Sequence, residues 1–476
     1  HLRPERGNHD GADEEDGELT VRLPRGDYSL SGMIHPGFDS ATHALVFQPR
    51  MRLDADTTVT IDARQTRPVQ VTLPDPAAKN IDAGLVVGWQ RGDGLDKGLV
   101  SYGFPGFQSF TVGQLGSALP ADQAFAQYSG TWSHQDAGTP VNYHLAWKRT
   151  GRLGGFDATV ERRQLATVDL RVGSPATGKR ADILAQTFAP GGEFTSLGSP
   201  VTVDLPLRGT DYVLGDRIKW NFIVLVGDGP DAQLWSTRTY QAGRRYAERF
   251  NVGVFGPALG GTDTAPSAFT PGIARNGNVI SAYLPQFNDG AGHWNTIAGA
   301  PAETSLQADG KEIPDPHGIS PTDDVATYTV PAGDSAYKLT LDTSRDPAST
   351  PVSTRVRTEW TFRSHETPEG AWSALPLSVV RFHPRLTPAS TAKAGQRFDV
   401  PFRIEGAAAG QQPRKLAFEV SYDEGNTWQS AEAVGGTHLS LKHPATAGSV
   451  SLRARLTDAQ GNTLVQTIER AYLITR

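Results

Sequence analysis

The fold class is decided by one stretch, Arg397-Phe398-Asp399-Val400-Pro401-Phe402-Arg403-Ile404, in which every second residue is a large apolar one. This period places one side of a strand on a core and leaves the other side in water, as in antiparallel sandwiches. The same alternation recurs at 416–422 and at 450–456. About seven such strands in about 100 residues predict an immunoglobulin-like sandwich over residues 375–476.

Similar strand patterns precede this unit along almost the whole chain. They predict a second β-sandwich domain over residues 256–374 and a larger β-rich domain over residues 75–255. Within the larger domain, short helical patterns occur near 122–128 and 244–251. Residues 18–74 alternate again and predict a small β-sandwich. The predicted fold class is therefore all-β: a multi-domain chain of antiparallel β-sandwiches with few short helices.

The net charge is concentrated at the start of the chain. The 476 residues include 45 Lys and Arg and 51 Asp and Glu, a formal charge of -6. Seven of the acids and two of the arginines lie between His1 and Glu18, so the remainder is nearly neutral. A neutral body has no field to attract a polyanion, and no nucleic-acid partner is predicted. Residues 1–17 are interpreted as an acidic leader or linker, and the start at His1 predicts a processed piece of a longer protein.

Two further features of the composition narrow the class of protein. The chain has no cysteine, which excludes disulfides, thiolate metal sites and a cysteine nucleophile. The apolar stretch at 222–226 is far shorter than the roughly 20 residues that a membrane helix needs, so no membrane span is predicted.

The sequence offers no motif for catalysis or metal binding. A Gly-x-Ser-x-Gly nucleophile segment and a His-Glu-x-x-His zinc segment are both absent. His35 and His43 are eight residues apart without a third ligand nearby, whereas zinc needs three or four. The leader acids could ligate Ca²⁺, but their spacing does not match a calcium loop, so a solvated tail is favoured. No catalytic residue, metal ion or cofactor is therefore predicted.

The candidate binding residues come from an aromatic segment at 101–110. Its glycine and proline content favours a loop over a buried strand. In such a loop the rings of Tyr102, Phe104 and Phe107 could stack on a sugar or contact an apolar side chain of a protein partner, so these three are predicted to bind substrate. The alternative interpretation is that the rings cover the adjacent core.

Two short motifs are interpreted as turns. The segment Ser421-Tyr422-Asp423-Glu424-Gly425-Asn426-Thr427-Trp428 matches the Asp-box pattern, in which the aspartate accepts backbone N–H groups and glycine supplies a positive φ. The tripeptide Arg25-Gly26-Asp27 is spelled like an adhesion motif but is predicted to form a hairpin turn between two strands.

Several segments resemble the long carboxyl-terminal, non-catalytic region of large secreted bacterial subtilisin-like serine proteases. The matching segments are LDADTTVTIDAR at 53–64, RPV at 67–69, TYQAGR at 239–244, NVGVFGPA at 251–258, VVRFHPRL at 379–386, VSYDEG at 420–425 and SLRA at 451–454. The catalytic Asp, His and Ser of the subtilase family have no counterpart here, so the resemblance carries over no catalytic residue. It implies secretion, and it implies a protease domain that would precede His1.

The sequence therefore predicts an accessory region of a secreted subtilisin-like endopeptidase. Its predicted partner is the protease domain, in the same precursor or as a separate chain, and its predicted role is to support that domain or to position a protein substrate or cell-surface contact. The alternative is a free-standing secreted protein that binds a carbohydrate or another surface. A third reading, an enzyme with an unfamiliar site, has no motif in its favour.

Overall fold

The computed structural model describes residues 2–3, 20–35, 41–90, 97–188, 200–215, 218–227, 232–259, 272–295, 302–314 and 325–476. Apart from Leu2 and Arg3, the predicted acidic leader lies outside these residues.

The regular structure of the described residues is almost entirely strand. The first eighteen strands are β1 (Leu2–Arg3), β2 (Gly26–Ile34), β3 (His43–Leu53), β4 (Arg67–Pro68), β5 (Gln70–Thr72), β6 (Lys79–Gln90), β7 (Lys97–Phe104), β8 (Phe110–Gln114), β9 (Ala124–Asp136), β10 (Thr139–Thr150), β11 (Asp157–Thr159), β12 (Leu165–Val172), β13 (Arg180–Thr187), β14 (Val201–Asp204), β15 (Leu207–Leu214), β16 (Lys219–Val226), β17 (Ala232–Thr239) and β18 (Arg245–Phe250).

The remaining strands are β19 (Gly272–Asn276), β20 (Val279–Tyr283), β21 (Trp294–Asn295), β22 (Ala302–Ala308), β23 (Lys311–Ile313), β24 (Ala326–Thr329), β25 (Ser335–Ser344), β26 (Arg355–Ser364), β27 (Ser373–Ala374), β28 (Ser378–Phe382), β29 (Thr391–Lys393), β30 (Arg397–Gly406), β31 (Lys415–Ser421), β32 (Gln429–Ala431), β33 (Ala433–Val434), β34 (His438–Lys442), β35 (Gly448–Thr457) and β36 (Thr463–Thr475). Within the described ranges the helical segments are short 3-10 turns: Ala63–Gln65, Phe107–Ser109 and Arg162–Gln164.

The strands up to β18, together with β21, build three stacked sheets, and β5 pairs with β11 in a separate two-stranded sheet. The first sheet has the order β1-β2-β3-β8-β4, the central sheet β18-β12-β15-β10-β9-β6-β7, and the third sheet β14-β13-β16-β17-β21. The first core joins the first and central sheets through residues such as Leu45, Phe47 and Leu145. The second core joins the central and third sheets through residues such as Val168 and Phe222. Each face of the central sheet therefore contributes to a core.

The strands after residue 251 share one further core. Its sheets have the orders β24-β20-β19-β27, β23-β22-β25-β26-β36-β35-β31-β32 and β28-β30-β34-β33, and β29 also pairs with β36. Buried residues from Val252 to Ile474 form a single hydrophobic cluster, with Trp360 at 0% exposure. Burial of this apolar surface is the main stabilising term in a chain without disulfides.

The predicted all-β fold of antiparallel sandwiches is confirmed, but the two predicted helices are wrong. Residues 124–136 form β9 and residues 245–250 form β18. The spacing of Tyr246 and Phe250 fits one face of a helix and equally one face of a strand, because four is a multiple of two. Pairing of β18 with β12 selects the strand.

Sheets and cores continue across two of the predicted domain boundaries. Strands on both sides of residues 74 and 75 contribute to the first core, including Val69 and Leu85. Strands on both sides of residues 374 and 375 share a sheet, because β26 pairs with β36 from Arg355 and Glu469 onward.

Among the described residues, no helix has the length and apolar character needed to cross a membrane.

Candidate binding site at the edge of the first two sheets

The aromatic segment at 101–110 forms regular structure, so its prediction as a loop is wrong. Its first residues complete β7, in which Tyr102 pairs with Leu85 and Phe104 pairs with Ala83 of β6. A 3-10 turn follows at Phe107–Ser109, and Phe110 begins β8. Pairing with β6 satisfies backbone N–H and C=O groups of β7 even though the segment contains glycines. The local composition alone does not indicate this pairing.

Phe107 belongs to the interior. It is only 4% exposed and lies in the first core. Its ring centroid is 5.6 Å from that of Trp132 in a stacked geometry, and the backbone N–H of Phe107 donates to Asn80 Oδ1 at 2.6 Å. The ring has no free face for a ligand, so this residue fits the alternative interpretation, in which the rings cover the core.

Tyr102 and Phe104, in contrast, are half-buried and keep part of their rings at the surface. They are two residues apart on β7 and therefore share a face, with ring centroids 6.3 Å apart and ring planes 16° apart. Phe104 is anchored by stacking on Phe110 at 4.4 Å, and Tyr102 by an edge contact with Phe47 at 6.1 Å. Both rings are therefore fixed in position while part of each remains accessible.

The first sheet adds two histidine rings next to Phe104, and Met33 on the same face of the sheet as His43. His43 lies 5.5 Å from Phe104 between ring centroids, and His35 lies 5.9 Å from His43. Met33 pairs with Leu45 in the β2–β3 ladder, which puts it on the core-facing side of the sheet, yet it is 47% exposed. We call Met33, His35, His43, Tyr102 and Phe104 the aromatic edge site.

The aromatic edge site adjoins a strand edge. β7 is the last strand of the central sheet in the described part of the chain. The outer side of such a strand carries backbone groups that can pair with an added strand. The spacing of the two histidines in the sequence suggests metal ligands and gives no sign of the neighbouring rings. Only the pairing of β3 with the strands around it brings them to the aromatic rings.

A hydroxyl, an imidazole and a carboxylate meet elsewhere, between the central and third sheets. His144 Nδ1 is 3.3 Å from Thr131 Oγ1, and His144 Nε2 is 3.1 Å from Asp211 Oδ2. Their exposures are 5% for Thr131, 2% for His144 and 0% for Asp211. The rings of Trp220 and Phe222 pack against the imidazole at 6.3 and 5.4 Å. No substrate can reach the Thr131 hydroxyl, so the arrangement satisfies buried polar groups and does not act as a nucleophile.

In the part of the chain that the structure describes, no group of three His, Asp or Glu side chains could hold a metal ion. The leader acids, which were considered as calcium ligands, lie outside it.

The Asp-box segment forms the predicted turn, which is confirmed. Asp423 Oδ1 accepts the backbone N–H of Thr427 at 2.9 Å and the Ser421 hydroxyl at 2.7 Å. The bonds from Thr427 and Ser421 lower the pKa of Asp423 to about 2. Gly425 has φ +90°, and the Trp428 indole N–H donates to its carbonyl at 2.9 Å. The segment is a folded turn on the surface, with no sign of a ligand site.

The predicted hairpin turn at Arg25-Gly26-Asp27 is wrong. β2 begins at Gly26, and no strand precedes it within residues 20–25. Asp27 Oδ2 lies 3.4 Å from Arg52 Nη1 of β3, so the aspartate pairs within the first sheet.

Comparison with known proteins adds little to this geometry. No family model matches the chain, and no curated protein matches it. Among solved structures, it is similar to the extracellular domains 3-5 of Drosophila OTK, with 8% identity, 65% of this chain and 94% of that chain covered, and a TM-score of 0.15. It is also similar to dimeric latent PorU from Porphyromonas gingivalis, with 11% identity, 73% and 31% covered, and a TM-score of 0.15. At these scores the likeness carries no inference about family or function.

Proposed function

We propose that this chain is a non-catalytic accessory β-domain region of a secreted subtilisin-like serine endopeptidase, and that it docks on the protease domain through the aromatic edge site. The single observation that supports this role is the pair of anchored, half-exposed rings, Tyr102 and Phe104, on the edge strand of the central sheet. The resemblance of the sequence to the subtilase accessory region supplies the identity of the partner.

The composition of the site suits a protein partner. Tyrosine and methionine are enriched at protein interfaces, where aromatic anchors supply much of the binding energy. Met33 is flexible and exposed, so it can adapt to an apolar side chain of the partner. Among the described strands β7 is the last of the central sheet, and a strand in this position can add hydrogen bonds to an extended segment of the partner.

The rest of the molecule is consistent with a supporting role. The Thr131, His144 and Asp211 side chains are sealed in a core and leave hydrolysis to another domain. In this proposal residues 375–476 form an immunoglobulin-like unit that shares a sheet with the strands before it, through the pairing of β26 with β36.

The test is a binding experiment between this chain and the protease domain of the same precursor, produced as a separate chain. The double variant Tyr102→Ala and Phe104→Ala should weaken co-purification and abolish any change in the heat stability of the protease. The matched control is Phe125→Ala, which removes another half-buried ring of the central sheet outside the aromatic edge site. If the unmodified chain neither co-purifies with the protease domain nor changes its activity or stability, the proposal is wrong.

A second candidate function is favoured by the orientation of the two rings. Two nearly parallel aromatic rings, 16° apart, form a platform on which the flat face of a sugar can stack. A free-standing secreted carbohydrate-binding protein would use this platform. A glycan array probed with the unmodified chain and with the same double variant discriminates the two functions, since only a sugar-binding protein would give signals that the variant loses.

A further inference from the structure

A cleft of 770 Å³ opens at one end of the three-sheet stack, far in sequence from the aromatic edge site. The ends of central-sheet strands, including the start of β15, form one wall, β14 of the third sheet forms another, and the segment around Leu386 and Pro388 closes the cleft. Part of its lining is apolar, contributed by Val172, Val203, Leu207, Val252 and Leu386.

Three arginines line this cleft from adjacent strands of the central sheet. Arg171 of β12 pairs directly with Arg208 of β15 and, on its other side, with Arg249 of β18. Residues that pair across a ladder point to the same face, so the three guanidinium groups lie in a row. We call these residues the arginine row.

The arginine row makes no close ion pair within the described residues, although Asp169 interacts electrostatically with Arg171 and Asp289 with Arg249. No Asp or Glu carboxylate there forms an ion pair with Arg171, Arg208 or Arg249. Arg249 donates to the carbonyl of Leu386, and burial together with the charge of Arg171 lowers its pKa. The one acid in the lining, Asp204, is 93% exposed and pairs with Arg180 at 3.4 Å.

Like charges that face each other directly across strands destabilise a sheet. Folding therefore places positive charges together at a cost that an anion in the cleft would offset. Guanidinium groups bind carboxylates through two parallel hydrogen bonds, which favours a ligand with more than one carboxylate along the row.

We infer that the cleft binds an extended acidic peptide segment of a partner protein, with its carboxylates on the arginine row and an apolar side chain on the adjacent wall. The apolar residues of the lining distinguish this ligand from a simple inorganic anion. Asp204 at the rim and the nearly neutral body disfavour a long polyanion, whose binding needs an extended basic surface. The inference is independent of the proposed protease partner, because a different surface carries it.

The experiment is a calorimetric titration of the full chain at low salt with a synthetic ten-residue peptide of alternating Glu and Val. A peptide with Gln in place of Glu is the control ligand. We expect the acidic peptide to bind and the Gln peptide not to bind. Arg171→Gln and Arg208→Gln should each weaken the binding by about tenfold, the effect of one lost charge-assisted contact. Both arginines are exposed, so either variant should still fold.

Arg414→Gln is the matched control variant, because it removes an exposed arginine outside the cleft and should leave the affinity unchanged. Equal losses in Arg171→Gln and Arg414→Gln would show that only the overall charge matters and would overturn the inference. Tighter binding of a heparin fragment or a DNA oligonucleotide than of the peptide would also overturn it. The aromatic edge variant Tyr102→Ala should bind the acidic peptide normally, so failure of one proposal leaves the other testable.

Discussion

Arginines lie close together in two regions of this molecule, and the two regions differ in their counter-charges. On β26, Arg355 and Arg357 share one face, and the Asp342 carboxylate of β25 accepts from both, at 2.7 and 2.9 Å. In the arginine row, Arg171 and Arg208 pair directly across two strands, and no carboxylate of the described residues forms an ion pair with either; Asp169 acts on Arg171 only over a longer range. In the first region a carboxylate of the fold balances the arginines, whereas in the second the carboxylates of the proposed peptide ligand balance them.

The largest expected effect comes from removing the counter-charge of the complete region. Asp342→Ala leaves Arg355 and Arg357 facing each other without the carboxylate that lies only 10% exposed between them. The free energy of unfolding should fall by about 2 kcal/mol, the cost of losing charged hydrogen bonds in a partly buried site. Urea denaturation at pH 7 measures it.

The control for this change is an exposed pair of the same type. Asp334 and Arg363 are 2.7 Å apart, with side chains 56% and 62% exposed. Asp334→Ala should shift the urea midpoint much less than Asp342→Ala does, because solvent screens such pairs. Equal effects of the two substitutions would contradict the contrast drawn between exposed and partly buried pairs.

Low pH should remove the contribution of Asp342 to the free energy of unfolding, because protonation removes its charge as the substitution does. Hydrogen bonds from Arg355 and Arg357 outweigh burial and hold its pKa below the usual value. A depressed carboxyl pKa stabilises the fold above the unfolded pKa of about 3.9, and the contribution is lost as pH falls through the lowered value. The Asp342→Ala penalty should therefore shrink below about pH 4.

Two buried histidines repeat the contrast between paired and unpaired charge. His293 lies 2.9 Å from Asp289 Oδ2 and 3.6 Å from Glu248 Oε2. Burial alone would lower its pKa, but the two carboxylates raise it to about 9. His443 lies among aromatic rings, including that of Phe398 at 5.2 Å, and burial lowers its pKa to about 4.

The second prediction follows from His293. A raised imidazole pKa stabilises the fold fully below the unfolded value of about 6.5, and the contribution is lost as pH rises through about 9. The free energy of unfolding should fall by on the order of 1–2 kcal/mol between pH 7 and 10. His293→Gln should remove this slope, which denaturation curves at several pH values measure.

His443→Gln is the control for that slope. Its lowered pKa contributes stability above about pH 6.5, which is lost as pH falls toward 4. This variant should alter the acid side of the profile and leave the alkaline side unchanged. If the free energy of unfolding of His293→Gln still falls between pH 7 and 10, another group causes that fall.

These contrasts also show which parts of the structure the sequence could predict. Alternation depends on neighbours in the chain, and it correctly indicated strands such as β30 and β31. The arginine row joins residues 171, 208 and 249, and register between distant strands brings them together. No local spacing predicts that register, and one of its two pairings, β12 with β18, is parallel.

The sequence predicts only part of the aromatic edge site, because the rest depends on contacts between distant strands. Clustering of aromatic residues pointed to Tyr102 and Phe104, which lie at the surface of the central sheet. The sequence could not separate them from Phe107, because that depends on which ring faces Trp132 across the fold. Met33 carried no local signal at all, since its exposure follows from the position of β2 in the first sheet.

The smallest expected effect tests the arginine row in the free protein. Arg171→Gln removes the middle charge of the row and should raise the free energy of unfolding by about 0.5 kcal/mol, because repulsion with Arg208 and Arg249 disappears. The gain should shrink in 1 M NaCl, where charges are screened over about 3 Å. Arg414→Gln should leave the free energy of unfolding unchanged.

Saturating acidic peptide should reverse the sign of the difference in stability between Arg171→Gln and the unmodified chain. The peptide binds the folded unmodified chain more tightly and therefore stabilises it more than the variant. If Arg171→Gln remains more stable than the unmodified chain at saturating peptide, the arginine row does not bind the peptide. The repulsion among its charges then has no binding function.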